Sequence, residues 1–379
     1  MKADSVNKKI KVLKEPKQKV FVGMSGGVDS SVSAALLKEA GYDVTGVFIK
    51  VWSPDWLPCD WKEERRDAMR CAAVLEIPLL TFDFEKEYKE GVVDYMISEY
   101  KAGRIPNPDV MCNKTVKFGS FFNKAMKMGA DFVATGHYAR VSKSVEPNTK
   151  YKILNTKYSL LAGKDTNKDQ SYFLWTIGQR QLSKTFFPVG DIEKDEVRKL
   201  AEKFGLPTAR KKDSQGLCFL GKIDVKDFLR RYIKEKKGKV LNEKGEVIGE
   251  HDGVVFYSMG ERHGFNIVEK DTNRLPYYVI SKDVKKNIIV VSHNKLEQKS
   301  LKKEIEIKDI NLITDQNLEE NKKYSARIRY REELKTCLVK TVSNKKLIVI
   351  FDEPEDSVAS GQSLVIYDGE ICLGGGIIV

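Results

Sequence analysis

What this 379-residue chain lacks narrows the field first. No apolar run approaches the ~18–20 residues that a helix needs to cross a bilayer. The N-terminal stretch has no hydrophobic core of the secretory kind, so the expectation is a cytoplasmic protein with no membrane segment. Six cysteines stand at 59, 71, 112, 218, 337 and 372, with no CxxC and no paired zinc spacing. In a reducing compartment they are expected to be thiols unless they serve redox chemistry, which turns attention to individual sulfurs. Internal repeats and extended low-complexity segments are absent as well. Histidine is scarce, with four in the chain.

What is present points to a folded protein with a polyanionic partner. An apolar content of 41% excludes a disordered chain, and the length suggests two or three domains, each able to bury a core. Lys and Arg total 66 against 54 acids, a surplus of +12 that suits RNA. Part of that surplus lies in residues 1–19, which hold seven lysines and two acids and read as a frayed basic tail.

The chain is organised around GMSGGVDSS, Gly23 to Ser31. It follows the apolar run Val20-Phe21-Val22 and leads into a helical pattern from Val28 to Ala40. A strand that ends in a Gly/Ser loop and restarts as a helix aims the helix's unpaired N–H groups at one point, and that point attracts anions. Gly23, Gly26 and Gly27 let the backbone lie against a ligand, and Ser25, Ser30 and Ser31 add hydroxyls. No lysine follows as it does in a Walker-type phosphate loop. Phosphates are therefore expected on N–H groups, hydroxyls and a magnesium ion near Asp29.

Downstream the pattern alternates. A strand from Val44 to Val51, a helix from Glu63 to Glu76, a strand from Leu79 to Phe82, helices from Glu85 to Lys101 and Thr115 to Met128, and a strand from Asp131 to Thr135 predict an α/β, doubly wound parallel sheet. Ligands in such sheets bind beyond the carboxyl ends of the strands. Ile49, Gly136 and His137 are therefore candidate neighbours of the nucleotide or substrate. The run GRIPNPDVMCN, Gly103 to Asn113, reads as a stiff extended loop because Pro106 and Pro108 disfavour helix at the residues before them. Asp109 and Cys112 then meet near the start of the next helix, whose dipole favours a thiolate. Cys218 lies in a second Gly/Ser loop after Arg210-Lys211-Lys212, where positive charge lowers a thiol pKa. Taken singly, either cysteine could equally be a small buried hydrophobe. Beyond these, a basic amphipathic helix from Asp224 to Lys236 and hairpins turning near 242–245 and 282–287 form a small central module. Residues 305–379 alternate short β segments with turns, as a β-barrel does, and Arg329-Tyr330-Arg331 reads as part of an alternating strand. The divisions expected are 1–222, 223–293 and 294–379.

Read together, SGGVDSS, NPDVMCN, ATGHYAR, KDQSYFLW, DSQGLCFLG, RYRE and GQSLVIYDGEICLGGGII resemble the tRNA-specific 2-thiouridylases of the ATP pyrophosphatase (PP-loop) superfamily, from Lys19 to Val379. The resemblance implies an adenine nucleotide alpha hydrolase-like catalytic domain. Its nucleotide contacts would be Gly23, Met24, Ser25, Gly26, Gly27, Val28, Asp29 and Ser30, with Ile49 and Gly136. It implies that Asn107, Pro108 and Asp109 touch the target base, that Cys112 is the nucleophile, that Cys218 carries a persulfide and that Asp109 is the acid/base. It places His137, Lys168, Asp169, Gln170, Arg329, Tyr330 and Gln362 against tRNA. The implied reaction adenylates C2 of the wobble uridine with ATP and magnesium, then replaces the oxygen with persulfide sulfur. A sulfur donor protein, either a cysteine desulfurase or a relay protein, is the implied partner, and the free chain is expected to be a monomer. Cys112 and Cys218 are about a hundred positions apart, so a moving loop is expected to join them. Two other readings fit the loop alone: a PP-loop enzyme acting on a small acid or amide, and a non-catalytic RNA-binding module.

Overall fold

The computed structural model describes residues 17–56, 61–148, 153–213, 216, 218, 224–268, 275–294, 301–314, 317–343, 346–356 and 358–379. Cys59 and the lysine-rich tail up to residue 16 lie outside the described residues.

The apolar runs form strands and the periodic segments between them form helices: β1 (Lys19–Gly23), α1 (Val28–Glu39), β2 (Asp43–Lys50), α2 (Trp61–Val74) and β3 (Leu79–Asp83). A helical run follows, made of α3 (Glu85–Tyr88), a π-helical segment Lys89–Asp94 and α4 (Tyr95–Lys101). A second run comprises α5 (Pro108–Cys112), a π-helical segment Asn113–Phe121 and α6 (Phe122–Lys127). The two π segments pack together so closely that a Cβ on Gly91 would stand 3.0 Å from Thr115 Oγ1. After β4 (Phe132–Ala134) come a hairpin, β5 (Ala139–Asn148) and β6 (Ile153–Ala162), then α7 (Gln179–Leu182), β7 (Thr185–Phe186) and α8 (Lys194–Lys203).

Strands β3-β2-β1-β4-β7 lie in that order in one parallel sheet, the doubly wound sheet expected from the alternation. Val20, Val22, Val47 and Val133 are fully buried, as strands covered by helices on both faces must be. The strand order reverses at β1, between β2 and β4. The loops leaving β1 and β4 therefore meet at the switch point where such sheets bind ligands.

The middle of the chain forms α9 (Val225–Arg230) and a five-stranded sheet of β8 (Gly238–Leu241), β9 (Val247–His251), β10 (Phe265–Ile267), β11 (Tyr278–Asp283) and β12 (Ile288–Ser292), ordered β10-β9-β8-β12-β11. Phe228, Val240 and Ile289 share one core cluster with Phe21, Ile49 and Cys112, so this module packs directly on the first sheet's helices. The last third is a six-stranded antiparallel barrel of β13 (Lys302–Leu312), β14 (Tyr324–Arg327), β15 (Lys335–Ser343), β16 (Lys346–Glu355), β17 (Ser363–Asp368) and β18 (Ile371–Ile378). It closes where β13 pairs with β18. The barrel's sheet is extended by β6 and β5, because Cys372 pairs with Leu160 and Ile371 with Leu161. Val110, Phe118, Tyr172, Trp175, Val365 and Tyr367 fill the joint between barrel and first domain.

Three expectations need correction. The helix after the NPD run starts at Pro108 rather than Thr115: Pro108 takes the first helical position, where its missing N–H costs nothing, and the Asn107 side chain caps the Val110 N–H at 3.2 Å. Arg329, Tyr330 and Arg331 are not in a strand, since β14 ends at Arg327 and Arg331 turns the chain with φ 65°. The basic helix of the central module ends at Arg230, before the lysine-rich stretch 234–237 that offers no apolar face.

Candidate active site: a thiol pair beside a glycine loop

The loop between β1 and α1 is shaped by close neighbours. Gly26 has φ 74°, and a Cβ there would stand 2.2 Å from the Glu64 carbonyl oxygen of α2. Gly136, in the loop after β4, leaves 2.7 Å from its missing Cβ to Ser30 N, so the two switch-point loops touch backbone to backbone. Gly27 is the N-cap of α1 and no side chain caps that terminus. The first N–H groups of α1, at Val28, Asp29 and Ser30, are thus left to a ligand. The Ser30 hydroxyl braces the loop by accepting from Ser25 N at 3.2 Å and donating to Gly27 O at 3.2 Å. Met24 is buried beneath the loop, its N–H bonded to Val47 O at 2.8 Å. A Cβ on Gly23 would stand 3.8 Å from the Phe121 ring.

Asp29 does not stand open for a magnesium ion. Lys194, from α8, donates to both its carboxylate oxygens at 2.7 and 2.9 Å, and Tyr138 OH donates at 2.7 Å. Among the described residues no group of three or more His, Cys, Asp or Glu could hold a metal. The donor set does not fit a protein-held cation. Lys194 also meets Asp213 at 2.9 Å, which Lys168 and Arg198 approach at 2.7 Å each. Burial alone would raise the Asp213 carboxyl, but hydrogen bonds from Lys168 and Lys194 bring it down to about 2.

The two sulfurs singled out in the sequence come together. Cys112 Sγ and Cys218 Sγ are 3.5 Å apart, both as free thiols. The Cys218 peptide is clamped on both sides, its N–H donating to Asp109 Oδ1 at 2.9 Å and its carbonyl accepting from Tyr88 OH at 2.6 Å. Lys117 hydrogen-bonds the Cys218 sulfur and lies 3.3 Å, Nζ to Nε2, from His137. His137 Nδ1 is 2.7 Å from Thr135 Oγ1. A wall of contacts therefore runs from the thiols through Lys117, His137 and Gly136 to the start of α1.

The charges differ from those expected. Cys112 is not a helix-start thiolate: it sits at the end of α5, fully buried, and burial followed by its Cys218 neighbour pushes its thiol well up. Cys218 is the sulfur whose pKa falls, first through the hydrogen bond from Cys112 and then through the charge of Lys117, against the effect of burial. The cation is not the 210–212 patch. Lys211 holds Gly26 O at 3.0 Å and Asp67 at 2.8 Å, and Lys212 is exposed. Burial raises the Asp109 carboxyl, with the Cys218 N–H opposing. Burial, then Lys117, drives His137 well down, so its ring is neutral.

Several residues expected at a nucleotide or tRNA surface make contacts within the protein. Ile49 is 6% exposed and packs as core. His137 is buried on Lys117. Lys168 pairs with Asp213, and Gln170 accepts from Tyr138 N at 3.1 Å. Asp169 forms a buried ion pair with Arg327 at 2.5 Å in the barrel joint, and also accepts from Gly163 N and Ser171 N. Gln362 donates to Ile105 O at 3.0 Å and Pro106 O at 3.1 Å, tying the barrel to the NPD segment. Asn107, Pro108 and Asp109 are half-buried, and Tyr330 lies 4.6 Å from the Phe173 ring. Arg329 is exposed.

Lys117, Tyr88, Tyr138, Lys194 and Asp213 were not read as site residues from the sequence. Lys117 was hidden by helix type. Five residues after Cys112, it would point well away from the thiol on an α-helix of 3.6 residues per turn, but the i→i+5 ladder of the π segment brings both to one face.

Comparison with known proteins decides the family. Residues 18–222 match the model described as the tRNA methyl transferase HUP domain, 226–293 its PRC-barrel domain, and 302–378 the aminomethyltransferase beta-barrel domain. The tRNA-specific 2-thiouridylase MnmA of Streptococcus thermophilus (strain CNRZ 1066) is 44% identical over 365 residues, which is 96% of this chain and 95% of that protein. The protein of the same name from Geobacillus thermodenitrificans is 44% identical over 95% of this chain and 94% of its own length. That from Alkaliphilus oremlandii is 44% identical over 96% and 98%. The chain belongs to the tRNA-specific 2-thiouridylase family. The domain models carry a methyltransferase description, whereas these full-length 2-thiouridylase relatives are named for thiolation. No helix among the described residues of this family member is long and apolar enough to cross a membrane.

Proposed function

We propose that this chain uses ATP to activate C2 of uridine 34 in tRNA and replaces the oxygen with sulfur carried as a persulfide on Cys218, yielding 2-thiouridine, AMP and pyrophosphate. The observation that carries this reading is the 3.5 Å approach of Cys112 and Cys218 in a site walled by the loop that starts α1.

Uracil O2 is a poor leaving group until it is bonded to phosphorus. The N–H groups of Gly23 to Ser30 and the uncapped start of α1 hold the nucleotide while O2 displaces pyrophosphate. Asn107, Pro108 and Asp109 border the base. The terminal persulfide sulfur bonds to C2, and AMP departs with the former carbonyl oxygen. Cys112 then attacks the Cys218 sulfur, breaking its bond to the transferred atom. This leaves 2-thiouridine and a Cys112–Cys218 disulfide, which a dithiol reductant reopens with two electrons. The sulfurs have to close from 3.5 Å to about 2.05 Å, a small step for clamped neighbours. Asp109, whose buried carboxyl is raised, manages the protons within hydrogen-bond reach.

Residues 1–222 are assigned to activation and transfer, 223–293 to a central support and 294–379 to a barrel that grips tRNA through phosphates, with binding that falls steeply with salt. Magnesium arrives with the nucleotide's phosphates. A cysteine desulfurase or sulfur-relay protein charges Cys218, and the free chain acts in the cytoplasm as a monomer. The test incubates the purified chain with ATP, a sulfur donor and a uridine-34 tRNA transcript, then measures nucleosides by mass spectrometry. The expected product is 2-thiouridine, with pyrophosphate release that requires tRNA. Equal pyrophosphate release with a small amide and no RNA would replace this reading.

A further inference from the structure

We infer that Lys117 is the positioning cation of the thiol cleft: its ammonium, steered by the neutral ring of His137, holds the Cys218 sulfur as an anion while Cys112 stays a neutral thiol. The inference rests on the reading of Cys218 as the sulfur carrier, and it adds a residue and a division of charge to that reading.

The geometry is specific. An ammonium can only donate, so His137 Nε2 accepts from Lys117 at 3.3 Å. The proton of the neutral ring then lies on Nδ1, which donates to Thr135 Oγ1 at 2.7 Å. The ammonium, so oriented, directs a further proton at Cys218 Sγ. Cys112 Sγ donates to the same sulfur at 3.5 Å, so two donors converge on Cys218 and none is needed at Cys112.

The titratable groups that act on the pair come from four places: Tyr88 from α3, Asp109 and Cys112 from α5, Lys117 from the π segment Asn113–Phe121 and His137 from the loop after β4. Tyr88 is a neutral phenol held well up by burial, and its hydrogen bond goes to the Cys218 carbonyl, not the sulfur. Asp109 opposes the thiolate, although its carboxyl is itself raised by burial. Lys117 is the cation among them. Burial would lower its own pKa, and the neighbouring acidic groups, Cys218 first, more than restore it. The interaction is mutual: the sulfur anion keeps the half-buried ammonium charged and the ammonium keeps the sulfur ionised.

A persulfide formed on Cys218 extends from the same anchor, so Lys117 also faces the bond that Cys112 must break. His137 then acts on the sulfur through Lys117.

The test follows alkylation of Cys218 by iodoacetamide against pH, read by peptide mass spectrometry on the full chain without tRNA or ATP. In the wild-type chain the midpoint should lie below the ~8.5 of a free thiol, with Cys112 unmodified until higher pH. Lys117→Met should raise the Cys218 midpoint by about one unit, a roughly tenfold slower reaction at neutral pH, and Lys117→Arg should restore most of it. His137→Phe should shift the midpoint in the same direction by less. A wild-type midpoint at or above that of a free thiol overturns the inference whether or not the variants fold, as does a Lys117→Met chain with the wild-type curve. Failure of the thiolation reading would show separately, as wild-type chain that makes no 2-thiouridine.

Discussion

The glycine loop and the thiol cleft are neighbours built on opposite electrostatic plans. Around the loop the cations sit against carboxylates: Lys194 lies between Asp29 and Asp213, Lys168 and Arg198 close on Asp213, and Lys211 binds Asp67. What the loop then offers an incoming anion is a set of neutral N–H dipoles held in place by those pairs. In the cleft, Lys117 instead meets an imidazole and the Cys218 sulfur. One region pairs its cations with carboxylates to fix a shape, and the other sets its cation against an imidazole and a sulfur.

The comparison breaks most visibly at the sulfurs. Cys218→Ser or Cys112→Ser should lower 2-thiouridine formation by roughly a thousandfold or more, as expected for groups that act as a unit, while tRNA-dependent pyrophosphate release persists. Loss of both activities together would mean that the two regions are not separable. The converse substitution, Lys194→Met, strips the cation from two carboxylates. It should cost about 2–3 kcal/mol in urea unfolding, below the value for a fully buried pair because both acids are about 30% exposed. Nucleotide-dependent steps should fail in that variant while the Cys218 alkylation curve stays in place.

Tyr88→Phe sharpens the comparison on the cleft side. Losing the phenol's bond to the Cys218 carbonyl should cost about 1 kcal/mol and slow thiolation without moving the Cys218 midpoint. The smallest effect lies with Asp213. Its carboxyl, held down at about 2, contributes stability that is fully present above the ordinary carboxylate range, about 4, and is lost as pH falls through 2. Asp213→Asn should therefore flatten the dependence of stability on pH in that acid window and leave it unchanged near neutrality.

Much of the fold was legible because its signals are local. Alternating apolar runs, Gly41 with φ 91° closing α1 and Gly205 with φ 65° closing α8 are set by residues a few positions apart. The loop from Gly23 to Ser30 was readable for the same reason. The cleft was not, since it is assembled from α3, α5, a π segment, the loop after β4 and Cys218, with partners up to 130 positions apart. Helix type added to the difficulty: a 3.6-residue period hides Lys117 from Cys112. The helix start at Pro108 was overlooked for a different reason, because a proline preceded by asparagine was read as extended chain when it is also a cap followed by a first helical residue. The KDQ triplet shows the limit of motif reading. Asp169 is buried on Arg327 in the barrel joint, while half-buried Lys168 and Gln170 engage Asp213 and Tyr138, contacts that no local pattern announces. By contrast, Cys71, Cys337 and Cys372 are fully buried, with burial pushing Cys337 and Cys372 up to about 12.

The central claim is that Cys112 and Cys218 act as one sulfur-transfer pair. A single-turnover reaction tests it directly, using chain loaded with persulfide at Cys218, ATP and tRNA, without reductant, followed by peptide and nucleoside mass spectrometry. The account predicts that 2-thiouridine and a Cys112–Cys218 disulfide appear in equal amounts and at the same rate. Full 2-thiouridine formation with both cysteines still reduced would contradict it.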